Sequence, residues 1–77
     1  MKITVKYFGM IAEAKGKNVD VFYDISDTDA LWSAIKKDFP ELNRFQFAVA
    51  LNKKMTTGNI KLNDGDEIAL LPPYAGG

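Results

Sequence analysis

The 77 residues include no cysteine and no histidine. Those two absences remove thiol nucleophiles, disulfides, Cys/His zinc sites and the commonest general base. Serine occurs only at Ser26 and Ser33, with no base-like partner in sequence reach. A self-contained enzyme is therefore not expected. An excess of one charge sign is also missing, since ten basic residues balance ten acidic ones. A generic nucleic-acid binder carries a basic excess, so no nucleic-acid partner is expected. No apolar run approaches the ~20 residues of a membrane span, so no membrane partner is expected either. The opening Met1-Lys2-Ile3-Thr4-Val5 alternates and reads as a strand rather than a signal peptide, which makes a cytoplasmic location the expectation. Asp64, Asp66 and Glu67 lack the length and spacing of a calcium loop and read as turn chemistry, so no metal is expected.

What is present suits one small soluble domain. Nearly half the residues are apolar and about a quarter are charged, with both signs interleaved. Residues 2–8 alternate, placing Ile3, Val5 and Tyr7 on a buried face and Phe8 on the other. A short helical turn is predicted over Met10–Lys15, with Met10, Ile11 and Ala14 inward and Gly16 as its C-cap. Residues 18–25 read as a second strand, antiparallel to the first, with Val19, Val21, Tyr23 and Ile25 inward. Ser26 or Asp27 then caps a helix from Thr28 to about Phe39. Its buried stripe is Leu31, Ala34, Ile35 and Phe39. Pro40 stops that helix. A third strand is predicted over 45–51, a short one near Met55-Thr56, and a last one over Glu67–Leu71. The turn Asn63-Asp64-Gly65-Asp66 precedes this last strand. This order predicts an α+β fold, one sheet with one main helix across it, and the last strand beside the first.

The last strand ends at Pro72-Pro73. Proline lacks a backbone N–H and cannot extend a ladder, so the chain must leave the sheet there. Two prolines favour a stiff extended path, which continues through Tyr74 and Ala75 to Gly76 and Gly77. Residues 1–71 are thus expected to form the domain and residues 72–77 an extended tail. Six residues reach on the order of 20 Å at ~3.3 Å each. A tail this slender can thread into another protein's active site, and the one reactive group expected is the carboxylate of Gly77. Alternation also turns Ala69 and Leu71 to the outer face of the sheet, where Phe8 points. Phe8, Ala69 and Leu71 are the predicted partner-binding patch at the base of the tail.

These residues resemble a known family. An Ile-x-Val-x-Tyr-Phe first strand, Asp64-Gly65-Asp66-Glu67, and Leu71-Pro72-Pro73-Tyr74-Ala75-Gly76-Gly77 together are similar to the MoaD-type small subunit of molybdopterin synthase. Terminal Gly-Gly alone is shared with thiamine-type sulfur carriers and ubiquitin-like protein modifiers, which stay open as alternatives. The resemblance implies a ubiquitin-like β-grasp fold and a sulfur carrier that binds no cofactor. It implies that an E1-like adenylating (MoeB-type) enzyme uses ATP to adenylate Gly77, and that sulfur then replaces AMP to give a thiocarboxylate. It implies a large (MoaE-type) subunit as the partner that holds the active site and passes the sulfur to cyclic pyranopterin monophosphate. One departure is plain: the family commonly has Arg before the Glu of the first short helix, where this chain has Ala12-Glu13.

Overall fold

The computed structural model describes residues 1–73. Its elements follow the order β1 (Lys2–Tyr7), α1 (Gly9–Lys15), β2 (Val19–Tyr23), α2 (Thr28–Asp38), a 3₁₀ turn (Pro40–Arg44), β3 (Ala48–Leu51), β4 (Lys54–Thr56) and β5 (Glu67–Leu71). The five strands form one sheet in the order β2-β1-β5-β3-β4. β5 lies parallel to β1 and antiparallel to β3, so the last strand sits at the centre of the sheet, as its sequence predicts. The fold is α+β.

The core lies between α2 and one face of the sheet. Leu31, Ile35 and Phe39 come from the helix and its C-cap, and Ile3, Val5, Tyr7, Ile68 and Leu70 from the two central strands; all are buried. Burying each Leu or Ile contributes about 1.5–3 kcal/mol. Asp27 is the N-cap of α2, its side chain accepting from the Ala30 N–H at 2.9 Å. Buried Thr28 anchors the loop before β5: its hydroxyl donates to Asn59 Oδ1 and accepts from the Ile60 N–H at 2.9 Å. The acidic turn is held by its own carboxylates. Asp64 accepts from the Lys2 N–H and Asp66 from the Asn63 N–H, both at 2.7 Å.

Four expectations need correction. The first is the facing of β2. Val19, Val21 and Tyr23 are exposed, while Asp20 and Phe22 turn toward the helical layer. Pairing decides this: Ile3 opposes Phe22 and Val5 opposes Asp20, and directly opposed residues share a face. Ile25 nevertheless packs on the core, because Asp24, in the left-handed conformation at φ +60°, breaks the alternation before it. Second, α1 buries Ile11 and leans Ala12 on the core, while Met10 and Ala14 are exposed. A helix of two turns buries only a narrow stripe.

Third, the strand predicted over 45–51 begins only at Ala48. The unpredicted 3₁₀ turn ahead of it buries Leu42 and ends at Phe45. Phe45 stacks on Phe39 with centroids 6.3 Å apart, and Phe47 meets Trp32 edge-on at 5.6 Å. These aromatics point inward because they pack on helix residues, without belonging to a ladder. Fourth, β1 ends at Tyr7, and Phe8 is instead the extended N-cap of α1.

Candidate functional site

Period-two alternation gives the sheet two faces, and the one away from α2 carries the candidate site. Lys6 opposes Ala69 across β1 and β5, Ala50 opposes Ala69 across β3 and β5, and Ala48 opposes Leu71. Ala50 and Ala69, side by side, make a shallow floor, because a methyl group rises little above the backbone. Larger side chains stand around it. Phe8 and Met55 are exposed, and Leu71 is half-buried. Between them lies a cleft of about 300 Å³ whose lining includes Phe8, Ala50, Met55, Ala69 and Leu71. Lys6 and Glu67 supply the polar margin, paired at 3.2 Å between Nζ and Oε2. An ion pair this exposed adds little stability. Its consequence is chemical: an apolar partner group placed here has a charge of each sign beside it.

The tail root adjoins this cleft. β5 carries the chain to Leu71, and Pro72 and Pro73 follow, both exposed. The Phe8 N–H donates to the Leu70 carbonyl at 3.2 Å, which ties the end of β1 to the end of β5. A second, smaller cleft of about 200 Å³ flanks the two prolines, walled by Phe8, Met10, Ile11 and Phe45. Phe8 therefore lines both the sheet-face cleft and the cleft beside the tail root.

Phe8, Ala69 and Leu71, predicted as one patch, are brought together at one cleft, and Pro72 and Pro73 line the smaller cleft next to it. Tyr74, Ala75, Gly76 and Gly77 lie outside the described residues. Ala50 and Met55 were not predicted as part of the patch. Ala50 is 5 % exposed despite its outward side, so burial alone hides it. Its signal is the pairing of β3 with β5, which a single sequence does not print. A larger cavity of about 640 Å³ opens on the other flank, between α2 and the β3–β4 hairpin, beside Trp32 and Phe47. No residue of the predicted site lines it. The sheet-face cleft is the better candidate because it is continuous with the tail root.

Comparison with known proteins now gives the family. The ThiS family matches residues 5–77. The chain belongs to the ThiS family. This agrees with the resemblance seen in the sequence. A relative from Chlamydomonas reinhardtii, a molybdopterin synthase sulfur carrier subunit, is 35 % identical over 83 residues, covering all of both chains. Among solved structures, a protein–protein complex of subunits 1 and 2 of molybdopterin-converting factor from Helicobacter pylori contains a chain 29 % identical to this one. That chain and this one are covered completely, with a TM-score of 0.75. The small archaeal modifier protein 1 of Haloferax volcanii is 24 % identical, with 94 % of this chain and 97 % of that one covered and a TM-score of 0.79. At that identity the likeness concerns the fold alone. The ThiS-family chain thus has the ubiquitin-like β-grasp fold, with β5 at the centre of the sheet. No helix among the described residues is long and apolar enough to cross a membrane.

Proposed function

We propose that this protein is the sulfur-carrier small subunit of molybdopterin synthase. The observation that carries the reading is the full-length likeness to a sulfur carrier subunit, joined to a central strand that ends in two exposed prolines beside an apolar cleft. Residues 1–71 serve as the docking body and residues 72–77 as the arm. The reacting group is the Gly77 carboxylate.

The chemistry follows from how poorly a carboxylate acylates. An E1-like activating enzyme supplies ATP. The Gly77 carboxylate attacks the α-phosphorus, pyrophosphate leaves, and an acyl-adenylate forms. Hydrosulfide, sulfur at the sulfide level, then attacks the acyl carbon and AMP departs, leaving a thiocarboxylate. The large subunit receives the arm in its active site, where the sulfur passes to cyclic pyranopterin monophosphate. The carrier's share is a tethered acid, a slender arm and a docking face formed by Phe8, Ala69 and Leu71. The Helicobacter pylori complex of subunits 1 and 2 supports a large subunit as the partner for that face.

Deleting Gly77 tests the reading. The truncated protein is expected to bind the large subunit as the full chain does and to deliver no sulfur. Sulfur delivery by the truncated protein would reject the proposal. A ladder of covalent conjugates of the full chain in cell extract, with no noncovalent complex, would assign the tail to protein modification instead.

A further inference from the structure

Of the described glycines, Gly9, Gly16, Gly58 and Gly65 all have positive φ, yet only one meets another part of the chain. A β-carbon built on Gly9 would lie 3.0 Å from Pro72 Cγ, whereas the same atom on Gly16, Gly58 or Gly65 meets nothing within 4 Å. Gly9 itself sits at φ +60°, in the left-handed region that residues with a side chain rarely adopt. Two independent demands thus fall on one position, a backbone angle and a close approach. The approach is to the first residue of the tail.

We propose that Gly9 is a positioning residue that sets the direction in which the tail leaves the domain. This rests on the carrier reading above. The parallel register of β1 and β5 brings Tyr7 level with Leu70, so the turn after β1 arrives where β5 gives way to the tail. The Phe8 N–H to Leu70 carbonyl bond fixes that turn to the last turns of the ladder. Pro72 has no N–H with which to hold its own place. Its ring lies against the bare Gly9 backbone, and both residues line the small apolar cleft beside the tail root. A methyl group on Gly9 crowds Pro72 Cγ and pushes the ring away from the end of β1. A change of direction at the root redirects all that follows it, and six residues can span at most on the order of 20 Å.

The test is single-turnover sulfur transfer from thiocarboxylated protein to substrate on the large subunit, in four variants: wild type, Gly9→Ala, Pro72→Ala, and both together. Alanine at 72 lacks the Cγ that the new methyl group meets. Gly9→Ala is expected to slow transfer at saturating large subunit about tenfold, within the ~100-fold that a 1 Å misplacement costs. Affinity for the large subunit should stay within about twofold of wild type. In the Pro72→Ala background the same change should cause no further slowing, although the strain at φ +60° lowers the melting temperature in both backgrounds. Equal slowing in both backgrounds, or a loss confined to affinity, would overturn the inference. Wild-type rates for Gly9→Ala beside working wild-type transfer would sink this inference alone. Wild-type protein that delivers no sulfur would sink the carrier reading and this inference with it.

Discussion

The Tyr7 hydroxyl donates to Asp20 Oδ2 at 2.9 Å across the β1–β2 pair. Lys17 and Lys15 reach the same carboxylate, at 3.0 and 3.6 Å, and Lys15 also lies over the Phe39 ring. Burial alone would raise the Asp20 pKa, but hydrogen bonds from Lys17 and Tyr7 and the charges of Lys15 and Lys17 outweigh it and hold the carboxyl below its usual value. Tyr7 moves the other way: burial first, then the bond to Asp20 and its charge, raise the phenol. These opposite shifts give opposite pH dependences. Asp20 is more acidic folded than unfolded, so its contribution is complete above the usual Asp value of ~3.9 and fades as pH falls below it. Tyr7 is less acidic folded, so its contribution is complete below the usual Tyr value of ~10 and fades as pH rises above it. Urea midpoints across pH should therefore fall at both ends. Asp20→Asn should flatten the acid limb and Tyr7→Phe the alkaline one. Unaltered limbs in both variants would mean that the network does not couple protonation to folding.

The same pair predicts which β2 residues matter for stability. Phe22 packs on the core, while Val21, its sequence neighbour, faces solvent. Phe22→Ala should lower stability by about 2 kcal/mol, less than the ~3–5 of a fully buried phenylalanine. Val21→Thr should stay within about 0.5 kcal/mol. Chemical denaturation of the two variants checks this. A larger loss at Val21 than at Phe22 would restore the facing read from the sequence.

Capping makes a local prediction. Asp27 accepts from the Ala30 N–H and also from the Asn59 side-chain amide at 3.3 Å. Asp27→Ala should cost about 1 kcal/mol. Ser26→Ala should cost much less, since the N-cap is Asp27. Thermal melts of both variants separate the two residues.

The outer face makes a functional prediction. Phe8→Ala and Leu71→Asp remove the apolar rim around the alanine floor, and Ala50→Arg fills the cleft. Each should weaken binding to the large subunit by about 1–2 kcal/mol, the scale of an interface anchor. Phe8→Ala should leave the melting temperature nearly unchanged, because Phe8 is exposed. Calorimetric titration measures the affinities. Wild-type affinity in all three variants would place the partner elsewhere.

Much of this fold was legible in the sequence because a few residues carry unambiguous signals. Ile3, Val5 and Tyr7 alternate cleanly, Pro40 and Asp27 mark the ends of α2, and Gly65 marks the turn before β5. The last strand reads as lying beside the first, and β5 pairs with β1 there. β2 misled because Val19, Val21 and Tyr23 are the more apolar set, and only cross-strand partners reveal that the polar Asp20 belongs inside. Phe45 and Phe47 misled because an inward aromatic looks the same in a strand and in a loop packed on a helix. At the candidate site, Phe8, Ala69 and Leu71 were readable from parity. Ala50, Met55 and the Gly9–Pro72 contact were not, since each depends on which strands adjoin.

The most direct test of the account is the intact mass of this protein after incubation with the activating enzyme, ATP and a sulfur donor, followed by fragmentation of its C-terminal peptide. A gain equal to sulfur in place of oxygen, located on Gly77, is expected. An unchanged mass, under conditions that convert a known carrier, would contradict it.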